Sequence, residues 1–253
     1  MIFYFSGTGN SKHVAEKIAK STGERTVFIS EDIMKKNEVF EVNEEERIGF
    51  VFPVYWYCIP TIMERFIHQL KLPGYRNQYV YAVATYGIAA GNVMDRLSRL
   101  LGERQLPLYG KFGVKMVDNY VVGYDIAKEE KRKVTLRRAE VEIDKIITFI
   151  ERKENTEYLK KGIIAFVTPI TGYAYRKTDH VKKFYTTSAC NGCEQCVREC
   201  PCNVIHMKNG ELVWEGECTF CLKCIHGCKQ AAIQYGKSTE KRKRYQFSHD
   251  LIK

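Results

Sequence analysis

The chain has 253 residues, a hydrophobic content of 45% and a formal net charge of +10. This length and composition are sufficient for one large or two modest globular domains, and they exclude disordered and fibrous classes. No apolar run reaches the roughly 18 to 20 residues that a membrane helix needs, and the first residues lack the pattern of a signal peptide. We therefore expect a cytoplasmic protein without a membrane span.

Residues 1–155 alternate between predicted strands and helices. Short apolar runs predict strands over Met1–Phe5, Thr26–Ser30, Ile48–Val54, Gln78–Thr85 and Leu108–Val117. Apolar residues at helical spacing lie between and after them, at Thr61–Leu70, at Asn92–Leu101 and in a long stretch with Val134, Ala139, Val141, Ile146, Ile147 and Ile150. Strands that alternate with helices typically form parallel sheets. We expect an α/β domain with a doubly wound, five-stranded parallel sheet.

A glycine-rich loop joins the first predicted strand to the first predicted helix. Its glycines allow backbone amides to approach an anion, and the helix N-terminus favours negative charge. The loop has neither the lysine of a nucleoside-triphosphate loop nor the glycine spacing of a dinucleotide site, so we expect a phosphate monoester. It resembles the phosphate motif of flavodoxins, which implies that it binds FMN. The residues concerned are Ser6, Gly7, Thr8, Gly9, Asn10 and Ser11.

Loops at the carboxyl ends of the later strands are expected to surround the flavin ring, because flavodoxin-like sheets bind ligands at this edge. Aromatic side chains there can stack on the ring, and glycines permit close backbone approach. The alternative is that these aromatic residues only fill the core or the surface. The candidate ring contacts are Pro53, Val54, Tyr55, Trp56, Thr85, Tyr86, Gly87, Gly91, Asn119 and Tyr120. Cys58, beside the first of these loops, is expected to be an inert packed thiol.

Two segments carry weaker patterns. Residues 156–186 begin with charged residues and continue with an apolar piece from Gly162 to Ile170, which is too short to span a membrane. We interpret this segment as a connector packed on the first domain. Residues 238–253 are basic and polar, and we expect a solvated tail that attracts acidic partners.

Residues 187–237 contain two copies of one cysteine pattern, CxxCxxCxxxC, offset by 28 residues. Thiolates suit iron–sulfur clusters, and three cysteines at two-residue gaps can bind three corners of a cube. In the bacterial two-cluster pattern the fourth cysteine of each copy binds the other cluster. The sequence therefore predicts one [4Fe-4S] cluster on Cys190, Cys193, Cys196 and Cys228, and another on Cys218, Cys221, Cys224 and Cys200.

The alternative for these cysteines is a pair of structural zinc sites. Such sites usually combine two CxxC pairs and do not need the third close cysteine. Two further residues within this region need an interpretation. We expect Cys202 to be a spare buried thiol and His226, inside the second motif, to be a solvated polar side chain.

From Cys190 to Tyr235 the chain resembles bacterial two-[4Fe-4S] ferredoxins. Lys229 departs from that pattern, since the first copy has Pro201 at the matching position. The order of segments along the chain is a flavodoxin-like domain, a connector, a cysteine-rich ferredoxin-like part and a tail. This order resembles the EFR-type family of flavodoxin–ferredoxin fusions from anaerobic microbes. This resemblance implies FMN, two [4Fe-4S] clusters, a small α+β ferredoxin-like domain and low-potential electron transfer with redox protein partners. The cofactors would lower the net charge to roughly +4 by simple charge counting.

FMN exchanges electrons singly or in pairs, whereas each cluster exchanges one, so the expected function is conversion between the two kinds of electron transfer. We expect the two parts of the chain to bind their cofactors separately. The alternative function is a reductase of a small molecule at the flavin, with the clusters as electron supply. It needs an acid near the substrate, and no catalytic residue can be singled out from the sequence. We do not expect a nucleic-acid-binding module.

Overall fold

A computed structural model describes residues 1–162, 165 and 168–252, and its largest element is one parallel sheet. The strands of this sheet are β1 (Ile2–Tyr4), β2 (Thr26–Phe28), β3 (Ile48–Pro53), β4 (Val80–Tyr86), β5 (Gly110–Lys115) and β6 (Glu157–Tyr158). Their spatial order is β2-β1-β3-β4-β5-β6. The first five strands thus have the flavodoxin-like order, in which the chain changes direction across the sheet between β1 and β3.

The prediction of five strands is wrong, because the sheet has six. The additional strand, β6, pairs in parallel with β5 through the registers Lys111 with Glu157 and Phe112 with Tyr158. Two residues are too few to show the alternating or continuous apolar pattern by which a strand is recognised in a sequence. The predicted connector therefore begins with a strand of the main sheet.

Five helices cover the sheet: α1 (Asn10–Thr22), α2 (Glu31–Lys35), α3 (Thr61–Gln69), α4 (Val93–Gly102) and α5 (Glu129–Glu151). Every residue of the central strand β4 is buried, as expected for a parallel strand with helices on both faces. The buried face of α5 consists of Leu136, Ala139, Ile143, Ile146, Ile147 and Ile150. Val134 and Val141, which the periodicity also includes, are exposed. The long helix thus packs through one stripe.

Most of the remaining elements form a smaller unit beside the sheet. It contains β7 (Phe184–Thr186), α7 (Gln195–Arg198), β8 (Ile205–Lys208), β9 (Glu211–Trp214), α8 (Lys223–Gly227) and β10 (Ile233–Tyr235). Helix α6 (Thr168–Lys177) precedes it and contacts both the sheet domain, at Cys58, and the unit, at Thr219. Two antiparallel pairs, β7 with β10 and β8 with β9, each join a strand of the first cysteine repeat to a strand of the second. The predicted apolar piece of the connector includes residues 163, 164, 166 and 167, which lie outside the described residues.

The two cysteine repeats have the same backbone conformation at positions that are 28 residues apart. Glu194 and Leu222 both have left-handed backbone angles, with φ of 55° and 58°. Both also begin a helical turn, because their carbonyls accept from amides four residues later, at 3.1 and 3.0 Å. Thr187 N donates to Ala232 O, and Glu215 N donates to Val204 O in the equivalent bond. The unit therefore has internal pseudo-twofold symmetry.

Among the described helices, none is long and apolar enough to cross a membrane.

A partly buried charge network joins α1 to α5. Glu140 accepts hydrogen bonds from Lys17 Nζ and interacts with His13 Nε2. Partial burial acts to raise the pKa of Glu140, but its bonds with Lys17 and His13 outweigh burial and leave the pKa lowered. A carboxyl whose pKa is lowered by folding stabilises the folded state above its unfolded pKa and loses this contribution as the pH falls.

We predict that Glu140→Gln lowers the free energy of unfolding at neutral pH by about 1 kcal/mol, because the amide keeps the volume but loses the charge. The difference from the parent chain should disappear as the pH falls below the ordinary carboxyl value of 4.5. Denaturant unfolding at several pH values measures it. Glu129→Gln is the matched control, since it breaks an exposed pair with Lys133 on the same helix. Equal effects of the two substitutions would contradict the prediction.

Candidate functional site

A cavity of about 390 Å³ opens at the carboxyl ends of β1, β3, β4 and β5. We call it the loop cavity, because the four loops that follow these strands form most of its wall. It lies beside the point where the strand order changes direction, which is where open α/β sheets bind ligands. Predicted site residues in its lining are Ser6, Gly7, Thr8, Asn10, Ser11, Pro53, Val54, Tyr55, Trp56, Thr85, Tyr86, Gly87, Asn119 and Tyr120.

The glycine-rich loop is held in place by hydrogen bonds to neighbouring strands. Ser11 Oγ is 2.8 Å from Thr85 Oγ1, and Asn10 Nδ2 donates to the carbonyl of Val117 at 2.9 Å. Asn119 Nδ2 donates to Thr8 Oγ1 at 2.6 Å. The loop ends at the N-terminus of the 13-residue helix α1. Because the first amides of a helix have no helical acceptor, this end of the cavity suits an anion.

Two predicted site residues are absent from the lining of the loop cavity. Gly9 has a left-handed φ of 98° and faces the other side of the loop, where a Cβ would lie 2.9 Å from Phe247 Cβ. Gly91 also has a positive φ, and a Cβ there would lie 2.7 Å from Thr168 Oγ1. Both glycines therefore allow close packing of protein segments, and neither borders the cavity.

The small unit contributes a wall of the loop cavity that the sequence did not indicate. Phe220, Cys221 and Leu222 line the cavity beside the glycine-rich loop. Cys221 O lies so close to Gly7 that a Cβ on Gly7 would be only 2.5 Å away. These residues belong to the second cysteine motif, so the two parts of the chain share this site. Asp118 and Tyr124 are further lining residues that the sequence analysis did not include.

Tyr55 carries a buried hydroxyl that faces this shared region. Among the described residues, no hydrogen-bond partner of Tyr55 Oη is found. Burial raises the pKa of Tyr55 well above its usual value, and the nearby Cys221 thiol adds to the rise. A buried hydroxyl without a partner costs free energy unless a ligand or water satisfies it. The hydroxyl is therefore available to a bound ligand.

The C-terminal segment packs against the outer side of the glycine-rich loop. Tyr245 is only 1% exposed, and its hydroxyl donates to Asn10 Oδ1 at 2.7 Å. Phe247 N donates to Thr8 O at 2.8 Å, and the Phe247 ring stacks on His13 with centroids 4.2 Å apart. The expectation of a fully solvated tail is wrong, because this part of the tail supports the loop. No local sequence pattern marks such a long-range contact.

The basic side chains of the tail divide into two groups. Arg242 Nη1 donates to Val121 O, and Arg244 donates to Ile233 O and to Gln234 Oε1. Lys241 and Lys243 are exposed. The two arginines thus fasten the tail to the loop after β5 and to the small unit, which leaves the lysines as the solvated charges.

His226 connects the second cysteine motif to the loop after β5 and to the tail. Its Nδ1 accepts from Tyr245 N at 3.1 Å, so the ring proton is on Nε2, which donates to Asn119 O at 2.9 Å. Burial lowers the pKa of His226 to about 4, and the hydrogen bond to Asn119 only partly offsets this effect. The expectation of a solvated side chain is wrong, because His226 is 5% exposed. It is a neutral structural link.

A second cavity, of about 210 Å³, lies within the small unit. We call it the cysteine cavity, because the eight motif cysteines Cys190, Cys193, Cys196, Cys200, Cys218, Cys221, Cys224 and Cys228 all line it. Cys202 lines it as well and is buried. Cys221 and Leu222 border both cavities. The two cavities are therefore separated by a single layer of the chain.

Neighbouring thiols in the cysteine cavity come from opposite repeats. Burial raises the pKa of Cys196 to about 11, and the thiols of Cys228 and Cys190 add to the rise. Burial also raises the pKa of Cys218, Cys221 and Cys224, and Cys200 adds to the rise in each case. Cys200 thus lies near the first three cysteines of the second repeat, and Cys228 lies near Cys196 of the first. Among the described residues, no three potential ligands are close enough to hold a single metal ion.

A family model matches the first part of the sheet domain, and solved structures show a weaker likeness. Residues 1–95 match a family model described as a flavodoxin domain. The Trp repressor binding protein of Bacillus subtilis is 13% identical, with 60% of this chain and 99% of that chain covered and a TM-score of 0.39. The flavodoxin of Streptococcus pneumonia TIGR4 is 17% identical, with 59% and 93% covered and a TM-score of 0.36. No curated protein matches the chain. The α/β parallel sheet is flavodoxin-like.

We predict that Gly7→Ala destabilises the chain by about 1–3 kcal/mol, because the added methyl group meets the Cys221 carbonyl, which cannot rotate away as a side chain could. Thermal or denaturant unfolding measures the loss. Gly102→Ala is the matched control, since no atom lies within 4 Å of a Cβ at Gly102. The control should be neutral or slightly stabilising. A Gly7→Ala chain as stable as the control would show that the two segments do not touch.

Proposed function

We propose that this chain is an electron-transfer protein that holds FMN in the loop cavity and two [4Fe-4S] clusters in the cysteine cavity. The observation that carries the proposal is the shared wall, since Cys221 and Leu222 border both cavities. FMN accepts or releases electrons singly or in pairs, and each cluster transfers one. Adjacent sites for the two cofactors suit a converter that works with redox protein partners.

The residues of the loop cavity fit FMN in three respects. The glycine-rich loop leads into the N-terminus of α1, which suits a phosphate monoester. The wall contains aromatic rings, including Trp56 and Tyr120, that can pack against an isoalloxazine. The Tyr55 hydroxyl is buried without a partner among the described residues, so it is free to donate to the ligand. The family model described as a flavodoxin domain supports the same cofactor.

The cysteine cavity fits thiolate-ligated clusters. The two repeats supply equal sets of cysteines with equal backbone angles, and each antiparallel pair of strands joins the repeats. Backbone amides point at sulfur, since Phe220 N donates to Cys218 Sγ and Ala232 N donates to Cys228 Sγ, both at 3.3 Å. Amide hydrogen bonds of this kind tune the potential of iron–sulfur clusters. A cube binds each cysteine through a different iron, so its ligands lie farther apart than those of one zinc ion.

Crossed ligation is part of the proposal. Cys200 lies near Cys218, Cys221 and Cys224, and Cys228 lies near Cys196. This neighbourhood supports one cluster on Cys190, Cys193, Cys196 and Cys228 and another on Cys218, Cys221, Cys224 and Cys200. Cys202 is the spare thiol in this assignment because it lies outside the repeated spacing, although it lies close to Cys218 and Cys221.

A reductase of a small molecule is the second candidate function, because the loop cavity contains an acid. Asp118 lines the cavity, and its Oδ1 accepts from Tyr120 N at 3.0 Å. Tyr124, which also lines the cavity, is bonded to Asp118, and burial followed by that bond raises its pKa. A carboxyl and a phenol beside the flavin could transfer a proton to a reduced substrate. The electron carrier ranks first because it also explains the cysteine cavity.

We predict that the anaerobically purified chain contains about one FMN, eight irons and eight acid-labile sulfides, as expected for two four-iron clusters. Flavin extraction, iron and sulfide assays and the visible spectrum measure these contents. Cys202→Ala should retain the full content, because it removes only the spare thiol. Bound zinc without sulfide would contradict the cluster assignment, and the absence of flavin would contradict the FMN assignment.

We predict that Cys200→Ala removes the same cluster as Cys218→Ala and spares the cluster that Cys190→Ala removes. The reason is that Cys200 lies beside the first three cysteines of the second motif. Electron paramagnetic resonance of the cluster that remains after reduction identifies which one is lost. A Cys200→Ala spectrum that matches Cys190→Ala would show that each motif serves its own cluster.

A further inference from the structure

The two cysteine motifs differ in what they face. The second motif faces the loop cavity, where Phe220, Cys221 and Leu222 form part of the wall. The carbonyl of Cys221 packs directly against Gly7 of the glycine-rich loop. None of the described lining residues of the loop cavity belongs to the first motif. A ligand of the loop cavity would therefore border residues of the second motif and none of the described residues of the first.

The first motif faces solvent. Cys190 and Cys193 are exposed, and so are Asn191 and Gly192 between them. Their counterparts in the second motif are less exposed, since Cys218 is half-buried and Cys221 is only 9% exposed. Since the repeats have the same backbone conformation, this difference comes from their surroundings: the sheet domain covers Cys221 and leaves Cys190 and Cys193 uncovered.

The two sets of thiols meet in the interior of the small unit. Cys196 of the first motif and Cys224 of the second both line the cysteine cavity, and both are half-buried. Exposure therefore rises from Cys221, which is buried and borders the loop cavity, through Cys224 and Cys196, to the exposed pair Cys190 and Cys193. No second exposed edge of this kind is offered by the described cysteines of the second motif.

We infer that the two clusters have fixed and different roles, an inference that rests on the proposed function. The cluster bound by the second motif exchanges electrons with FMN, and the cluster bound by the first motif exchanges them with a one-electron redox protein at the exposed edge. Fully reduced FMN gives up two electrons and two protons. With both cofactors bound, the cluster held by the second motif would take these electrons one at a time and the cluster held by the first motif would pass them to the redox protein, each alternating between its 2+ and 1+ states, while the protons would go to water.

The first test asks which cluster senses FMN. Cys190→Ser and Cys218→Ser change equivalent positions of the two repeats. The electron paramagnetic resonance signal that each variant loses or alters is assigned to the cluster at that position. The cluster-loaded chain is then measured with and without FMN. We expect FMN to shift the signal assigned through Cys218 and to leave the signal assigned through Cys190 unchanged. A shift of the Cys190 signal alone, or equal shifts of both, would overturn the inference.

The second test asks which cluster is exposed and needs no removal of FMN. Limited treatment of the holoprotein with ferricyanide, a soluble oxidant, should first destroy the cluster assigned through Cys190, because its edge is open to solvent. Earlier loss of the Cys218 cluster would overturn the inference. Both outcomes differ from failure of the proposed function, which would appear as missing iron, sulfide or FMN before either test begins.

Discussion

The contact between Gly7 and the carbonyl of Cys221 is the constraint on which the arrangement of both cavities depends. A Cβ at position 7 would lie 2.5 Å from that oxygen, so only glycine allows the two backbones to approach this closely. The approach makes the second cysteine motif a wall of the loop cavity. We expected from the sequence that the two parts bind their cofactors separately, and that remains a prediction, but residues of both parts line the loop cavity. A ligand there would border both halves of the chain.

The tail and His226 stabilise the contact between Gly7 and Cys221 through further hydrogen bonds between the same two segments. Tyr245 is bonded to Asn10 in the glycine-rich loop through its hydroxyl and to His226 in the second motif through its amide. His226 also reaches Asn119, whose side chain is bonded to Thr8. These bonds join the glycine-rich loop, the loop after β5, the second motif and the tail through buried and half-buried polar groups. Because each member is satisfied by another, removal of one leaves a buried partner unpaired, which costs more than the bond itself contributes.

Local sequence patterns predicted the sheet, the loops that form the site and the cysteine repeat. The alternation of apolar strands and amphipathic helices indicated the sheet, and most residues of the four predicted loops do line one cavity. The offset of 28 residues between the cysteine motifs indicated a repeat, and the structure has equal backbone angles at equivalent positions. Both patterns, the apolar periodicity and the cysteine spacing, can be read from residues that lie close together in the sequence.

What the sequence could not predict depends on contacts between distant segments. Strand β6 has two residues, and its identity as a strand comes only from pairing with β5. Phe220 and Leu222 look like ordinary residues between the cysteines of the second motif, and only the docking of the small unit makes them part of the loop cavity. Tyr245 lies among basic residues that suggest a solvated tail, yet it is buried and its hydroxyl donates to Asn10, 235 positions away in the sequence. Contacts between residues so far apart in the chain produce no periodic pattern in a single sequence.

The two halves of the chain have different sources of stability. The sheet domain has a large apolar core, in which β4 is buried along its full length between helices. The small unit instead encloses a cavity surrounded by thiols, and burial raises the pKa of Cys218, Cys221 and Cys224. Under the proposed function, cluster binding replaces the protons of these thiols and links the two repeats, so that binding energy becomes folding energy. Because Cys221 also lines the loop cavity, the shape of that cavity then depends on cluster binding as well. FMN binding should therefore depend on the clusters more than the clusters depend on FMN, because the wall belongs to the half with the smaller core.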